Sequence, residues 1–137
     1  MTSPTRTRVL LVEDDAYVRA YAARVLRGAG YEVGEARTGA EALWAGADRP
    51  PDVVVTDLGL PDTTGARLVA VMRSRSRTDL PAVFMSGEVD EEGANDGMIS
   101  AGSPFLPKPF LPDQLRQKIR DVLSGPRAGC RGNAVGV

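Results

Sequence analysis

The residues of this chain most able to do chemistry are carboxylates that follow apolar runs. Glu13, Asp14 and Asp15 stand side by side, and Asp57 follows the apolar run at 52–56. Carboxylates that meet in space repel and raise one another's pKa unless a cation neutralises them. A cluster of oxygen ligands predicts Mg²⁺, with Mn²⁺ as an alternative. The sequence has no histidine, which excludes histidine-based triads and most zinc or copper sites.

Two further side chains could handle phosphate. Ser86 follows the apolar run at 80–85 and can donate its hydroxyl to a phosphoryl oxygen, while Lys108 could act as a point charge for phosphate. Each feature also has an ordinary structural explanation. An acidic triplet is usually a solvated loop or a helix cap, Asp57 could start a turn, Ser86 could be a cap and Lys108 a surface charge.

The pattern that must position these residues alternates short β-branched runs with amphipathic stretches. It favours a doubly wound α/β fold, in which helices cover both faces of a parallel sheet. We predict five strands, at 8–12, 31–36, 52–56, 80–85 and 105–106. We predict five helices, at 15–27, 38–47, 65–73, 88–101 and from Pro112 onward. Thr38 and Glu41 have the spacing of a capping box at the start of the second helix.

The carboxyl ends of parallel strands share one edge of the sheet, and ligands of such folds bind there. The acidic triplet follows the first strand, Asp57 the third, Ser86 the fourth and Lys108 the fifth. We therefore expect these side chains to converge on one site. Chance would have to place all of them at that edge in order, which weakens the ordinary explanations when they are taken together.

Four segments resemble the signature blocks of response-regulator receiver domains, the CheY-like domains of two-component signal transduction. They read VLLVEDD at 9–15, TDLGLPDTTG at 56–65, FMS at 84–86 and FLPKPF at 105–110. Their joint order and spacing are more specific than any one block. The resemblance implies a flavodoxin-like fold whose five parallel strands lie in the order 2-1-3-4-5, with five helices.

The resemblance also implies a role for each residue of the cluster. Asp57 is the phosphoacceptor, and Asp14 binds Mg²⁺ directly. Glu13 acts mainly through a metal-bound water, and the backbone carbonyl of Gly59 is a further ligand. Lys108 then pairs with the acyl phosphate. On this basis we expect the chain to catalyse its own phosphorylation and autodephosphorylation, and not to be an enzyme in the usual sense.

Ser86 and Phe105 form the switch in this resemblance. The aromatic residue of the fifth strand turns inward when the hydroxyl moves toward the phosphoryl group. Many receivers have tyrosine where this chain has Phe105, so we expect a steric switch without the phenol hydrogen bond. The expected output is contact with a downstream protein or a second copy through residues 90–123, the fourth helix, fifth strand and fifth helix. The phosphodonor is expected to be a histidine kinase or a histidine phosphotransfer protein.

Length, composition and charge restrict the domain organisation, the partners and the location that we expect. The chain has 137 residues, of which 42% are apolar, and a net charge of −1. This fits one domain at 7–124, with an N-terminal extension at 1–6 and a disordered Gly-rich tail at 125–137. The weak charge argues against direct nucleic-acid binding. No apolar run approaches the ~20 residues of a membrane span, so we expect no membrane association and a cytoplasmic location.

Two rival functions remain for comparison. A haloacid-dehalogenase-like phosphatase also uses a strand-end aspartate, a hydroxyl, a lysine and Mg²⁺. That family requires an acidic residue two positions after the aspartate, where this chain has Gly59. A protein-binding module that keeps the receiver fold without phosphorylation is opposed by the intact set of acidic, hydroxyl and lysine residues. The resemblance fits both a stand-alone regulator and the receiver of a hybrid histidine kinase.

Overall fold

The computed structural model describes residues 6–87 and 104–124. Within these ranges the strands are β1 Arg8–Val12, β2 Glu32–Ala36, β3 Val53–Asp57, β4 Ala82–Ser86 and β5 Phe105–Pro107. The helices are α1 Ala16–Gly28, α2 Gly39–Asp48, α3 Gly65–Ser76 and α4 Pro112–Ser124. The helix predicted at 88–101, residues 1–5 of the extension predicted at 1–6, and the tail at 125–137 lie outside the described residues.

All five strands are parallel and lie in the order β2-β1-β3-β4-β5. This order and the covering helices confirm the predicted doubly wound α/β fold. The side chains of Val53, Val54 and Val55 are fully buried, as expected for a central strand packed on both faces. Val12 lies opposite Thr56 in the sheet. Glu13, after β1, and Asp57, the last residue of β3, therefore reach the same edge.

Two apolar layers enclose the sheet. On one face Leu11 and Val55 pack with α1 and α4, which contribute Leu26 and Ile119 among others. Alternate residues such as Leu10 and Val54 point to the other face. There they pack with α2 and α3, whose buried members include Ala42, Leu68, Val69 and Met72. Each large apolar side chain removed from water contributes roughly 1.5–3 kcal/mol to the stability of the fold. Because a shift of one residue would turn these side chains away from their layer, burial on both faces fixes the register of the strands.

The third and fourth strands end later than predicted. Asp57 and Ser86 are the last residues of β3 and β4, not the residues that follow them. Backbone pairing continues past the apolar run, because Leu58 N–H donates to the Met85 carbonyl at 2.9 Å. Hydrophobic periodicity does not detect such pairing, so both predicted strands end one residue too early.

Two helix ends also differ from the prediction. The third helix does not stop at Arg73 but runs to Ser76, where Arg77 ends it in the left-handed conformation at φ 59°. In α2 the Thr38 side chain caps the helix as predicted, accepting from Glu41 N–H at 3.1 Å. The Glu41 carboxylate, however, accepts from the backbone N–H of Arg37 at 2.8 Å. The reciprocal bond of the predicted capping box is therefore made one residue earlier.

The outer surface of α2 carries Trp44, the only tryptophan of the sequence. Its side chain is 79% exposed. Among the helices of the described ranges, none is long and apolar enough to span a membrane.

Candidate functional site

Three of the predicted carboxylates meet at the carboxyl edge of the sheet. Glu13, Asp14 and Asp57 each offer an oxygen, and these oxygens lie within 4.8 Å of one another. Glu13 is completely buried, Asp57 is half-buried and Asp14 is exposed. The cluster is thus anchored in the protein on one side and open to solvent on the other.

Asp15, the third member of the acidic triplet, does not join the cluster. It is the N-cap of α1, and its Oδ1 accepts the backbone N–H groups of Tyr17 at 2.9 Å and Val18 at 3.1 Å. Both explanations of the triplet, a helix cap and a cation-binding cluster, therefore apply, each to different residues. Asp15 is a helix cap, whereas Glu13 and Asp14 face the site.

Lys108 lies against the same carboxylates. Its Nζ donates to Glu13 Oε1 at 2.8 Å and is 3.3 Å from Asp57 Oδ2. The backbone fixes its position, because Lys108 N–H donates to the carbonyl of Ser86 at 2.7 Å. The sequence places Lys108 at this edge, but it does not reveal which carboxylate the flexible side chain contacts.

Both oxygens of Glu13 are engaged within the protein. Oε1 accepts from Lys108, and Oε2 accepts the backbone N–H of Asp15 at 3.0 Å. Arg19 donates to the Glu13 carbonyl at 2.8 Å and holds its backbone. Glu13 is consequently a fixed, buried part of the site, while Asp14 and Asp57 present carboxylate oxygens toward its open side.

The electrostatics of the cluster favour an added cation. Burial raises the pKa of Glu13 and of Asp57, although Lys108 opposes both shifts, and the charge of Asp14 raises that of Asp57 further. Burial opposes the charge of Lys108, but Glu13 and Asp57 together outweigh it and raise the lysine pKa. Three carboxylates and one ammonium leave a formal charge of −3 + 1 = −2. A hard divalent ion with oxygen ligands fits this donor set.

Ser86 and Phe105 lie on neighbouring strands near the cluster. Ser86 is buried at the end of β4, where it lies opposite Pro107. Phe105 is opposite Phe84 and packs, half-buried, against the apolar layer beneath α2 and α3. Pro107 fits this position because β5 is an edge strand, where a missing N–H is tolerated.

Gly59, in the loop after β3, and Gly65, the first residue of α3, differ in whether a side chain would fit. Gly59 is exposed, and a Cβ added there would meet nothing within 4 Å. A Cβ at Gly65 would come within 2.2 Å of the Asp57 carbonyl oxygen, so only glycine lets α3 begin directly behind Asp57. The sequence did not predict this role of Gly65, although this glycine ends the TDLGLPDTTG segment on which the family resemblance rests.

The sequence also did not predict a group of aromatic and apolar side chains on α1 and on the segment after Lys108. Tyr21 donates its hydroxyl to the Phe110 carbonyl at 2.9 Å, and the two rings pack at 5.6 Å between centroids. On the same elements Tyr17 is 89% and Leu111 is 66% exposed. The three exposed members, Tyr17, Tyr21 and Leu111, here called the aromatic surface, come from α1 and from the segment after Lys108. Their separation in sequence hides the surface from any local pattern.

Comparison with known proteins agrees with this geometry. The family model of the response regulator receiver domain matches residues 9–120. The transcriptional regulatory protein PrrA of Mycobacterium bovis is 33% identical over 122 residues, which cover 89% of this chain and 52% of PrrA. The KDP operon transcriptional regulatory protein KdpE of Escherichia coli is 32% identical, over 85% of this chain and 51% of KdpE. The chain thus spans about half the length of these curated relatives.

Solved structures give the same result. The chemotaxis response regulator CheY4 of Vibrio cholerae has a TM-score of 0.77 and 31% identity, covering 86% of this chain and 99% of its own. The receiver domain of NtrX from Brucella abortus has a TM-score of 0.76 and 28% identity, with coverage of 86% and 99%. With five parallel strands in the matching order and an acidic cluster at their carboxyl edge, the chain belongs to the response-regulator receiver family, the signalling modules of two-component systems.

Proposed function

We propose that the chain accepts a phosphoryl group on Asp57 in a Mg²⁺-dependent reaction and changes conformation to control a partner protein. The observation that carries this proposal is the meeting of Glu13, Asp14 and Asp57 within 4.8 Å, with Lys108 Nζ 3.3 Å from Asp57. Asp57 is the central member of this group, at the end of the buried strand β3. A half-buried carboxylate with its own counter-charge is suited to attack phosphorus.

Asp14, Asp57 and the Gly59 carbonyl would hold Mg²⁺, with Mn²⁺ as an alternative. The open side of the cluster is where Asp14 is exposed, which supports a direct role for it. Both oxygens of Glu13 already have partners, which supports an indirect role. When bound, the ion neutralises the charge of the transferring phosphoryl oxygens.

The protein residues then position the transfer. An Oδ atom of Asp57 attacks the phosphorus of a phosphohistidine, so that a P–O bond forms as the P–N bond breaks. Lys108 is preorganised beside Asp57 and can exchange its carboxylate contact for a phosphoryl oxygen. The Ser86 hydroxyl can donate to another phosphoryl oxygen and moves toward it.

The donor is a histidine kinase or a histidine phosphotransfer protein. The chain has no histidine of its own, so a phosphohistidine has to come from another chain or from another part of a longer one. The aromatic surface comes from residues that follow the acidic triplet and Lys108 closely in sequence, and its exposed Tyr17 and Leu111 provide apolar area of the kind that protein partners cover. We assign donor docking to this surface.

The response passes through Phe105 to the face formed by β5 and α4. As Ser86 moves toward the phosphate, Phe105 can turn from its half-buried position into the space left behind. A groove beside it is lined by Leu106, Gln114, Gln117 and Lys118. A downstream protein or a second copy of the chain would bind this face, together with residues 90–103, which lie outside the described ranges.

Intact-mass spectrometry after treatment with acetyl phosphate and Mg²⁺ tests the proposal. We expect one added phosphoryl group, which disappears in Asp57→Asn and when the metal is chelated. Asp57→Asn is a matched control because it keeps the size of the side chain while removing the nucleophilic charge. Equal labelling of wild type and Asp57→Asn would contradict the assignment.

A further inference from the structure

The loop between β3 and α3 is a tight turn whose two arms pair with each other. Gly59 and Thr64 face each other as an antiparallel bridge, and Leu60 N–H donates to the Thr63 carbonyl at 3.0 Å. The proposed metal-binding carbonyl of Gly59 is therefore on one arm of the turn. Asp62 is at its tip.

Asp62 attaches this tip to the start of α2. Its Oδ1 accepts the backbone N–H of Gly39 at 2.8 Å, and its Oδ2 accepts that of Ala40 at 2.9 Å. The first N–H groups of a helix have no partner within the helix, and its dipole favours a negative charge there. These two bonds hold the pKa of Asp62 below its usual value.

The shape of the contact supports the same attachment independently. A Cβ at Gly39 would come within 2.5 Å of Thr63 Cγ2 and 3.2 Å of Asp62 Oδ1. Gly39 is buried, although it is the first residue of a helix that is otherwise open to solvent on its outer side. Glycine at this position lets the loop tip lie directly on α2.

We propose that Asp62 is a positioning residue for the metal site, because it fastens the loop tip to α2 and so holds the Gly59 carbonyl in place. This inference rests on the proposed function, which gives that carbonyl to Mg²⁺. The coupling is reciprocal, so Mg²⁺ binding must also stabilise the contact between the loop and the first turn of α2.

Titration calorimetry of Mg²⁺ on the full chain tests the inference with variants on both sides of the contact. Asp62→Ala removes both acceptors, and Gly39→Ala inserts a methyl group while leaving every polar group present. We expect each to raise the Kd for Mg²⁺ by roughly five-fold or more, at the lower end of typical coupling between sites. Asp62→Asn keeps one carbonyl oxygen and should have an intermediate Kd.

Thr38→Ala is the matched control. Thr38 also caps α2, but its hydroxyl accepts from Glu41 within the helix, not from the loop. It should lower the melting temperature while leaving the Kd for Mg²⁺ unchanged. Amide exchange supplies a second readout, since Mg²⁺ should slow exchange at Gly39 and Ala40 in wild type and not in Asp62→Ala.

The possible results separate the inference from the function it rests on. Wild-type affinity for Mg²⁺ in a folded Asp62→Ala chain would overturn the inference alone. Equal weakening by Thr38→Ala and Asp62→Ala would also overturn it, since helix stability would then explain both. A wild-type chain that does not bind Mg²⁺ would overturn the proposed function and the inference with it.

Discussion

At the scale of single residues, the site combines buried charge with a deficit of positive charge. Burial raises the pKa of Glu13 and Asp57, so the folded chain takes up protons at a higher pH than the unfolded chain. The ordinary pKa is 4.5 for Glu13 and 3.8 for Asp57, and both pKa values are raised in the folded chain. At a pH between the ordinary and the raised value of either carboxyl, the folded state binds more protons than the unfolded state. Its stability relative to the unfolded state therefore falls as pH rises through this window.

We predict that the metal-free chain loses stability as pH rises through the raised carboxylate pKa values, and that Mg²⁺ at neutral pH reverses the loss. At roughly 100 times its Kd the ion should stabilise the fold by about 2.7 kcal/mol. Urea unfolding at several pH values, with and without Mg²⁺, measures both effects. In Asp14→Ala the stabilisation by Mg²⁺ should disappear together with phosphorylation, and its persistence would contradict Asp14 as a ligand.

A second residue-scale prediction concerns the pair of Lys108 and Glu13. Lys108→Met removes the cation that donates to the completely buried Glu13, so it should destabilise the metal-free chain by about 1–3 kcal/mol. Glu13→Gln in the Lys108→Met background should recover part of that loss, because a neutral amide needs no counter-charge. Urea unfolding of the four chains of this double-mutant cycle measures the coupling. Additive effects would show that the 2.8 Å contact contributes nothing to stability.

At the scale of elements, the connection from β3 to α3 holds Gly59 in the loop and Gly65 at the first position of α3. An added methyl group would fit at Gly59 but not at Gly65. We predict that Gly65→Ala costs about 1–3 kcal/mol, because its methyl group would overlap the Asp57 carbonyl oxygen. Gly59→Ala is the matched control, since its methyl group would meet only open space. Thermal unfolding of the metal-free chains compares the two, and only Gly65→Ala should lower the melting temperature. Equal stability of both variants would contradict the close packing of α3 behind Asp57.

The elements also show what the sequence could and could not predict. The parallel sheet and its shared edge followed from apolar runs alternating with helical periodicity, because both patterns reflect burial, whereas the strand order came only from the resemblance to receiver domains. The end of α3 was missed because the segment after Arg73 is polar, whereas Arg77 ends the helix through its backbone conformation. Convergence of the carboxylates was predictable, but the contact between Asp62 and α2 was not. It joins residues 22 and 23 positions apart through main-chain donors, which leave no side-chain pattern.

At the scale of the whole molecule, the proposed signal has to cross from the acidic edge to the face of β5 and α4. We predict that beryllofluoride with Mg²⁺, a mimic of the phosphoryl group, changes amide exchange in β5 and α4 and in residues 90–103. The reason is that Phe105 belongs to β5, which pairs directly with β4, the strand that ends at Ser86. Phe105→Ala should keep binding of the mimic while weakening the distant change. Exchange that stays the same throughout 90–123 in wild type would contradict the switch.

Trp44 gives the folded chain an unusual optical property. The sole tryptophan of the sequence is 79% exposed on α2 and is already largely hydrated before unfolding. Its emission should therefore shift little when the protein is denatured, so fluorescence would underreport unfolding and circular dichroism is the better monitor. A shift of that emission to shorter wavelength would have a different meaning, because it would require something to cover the outer surface of α2.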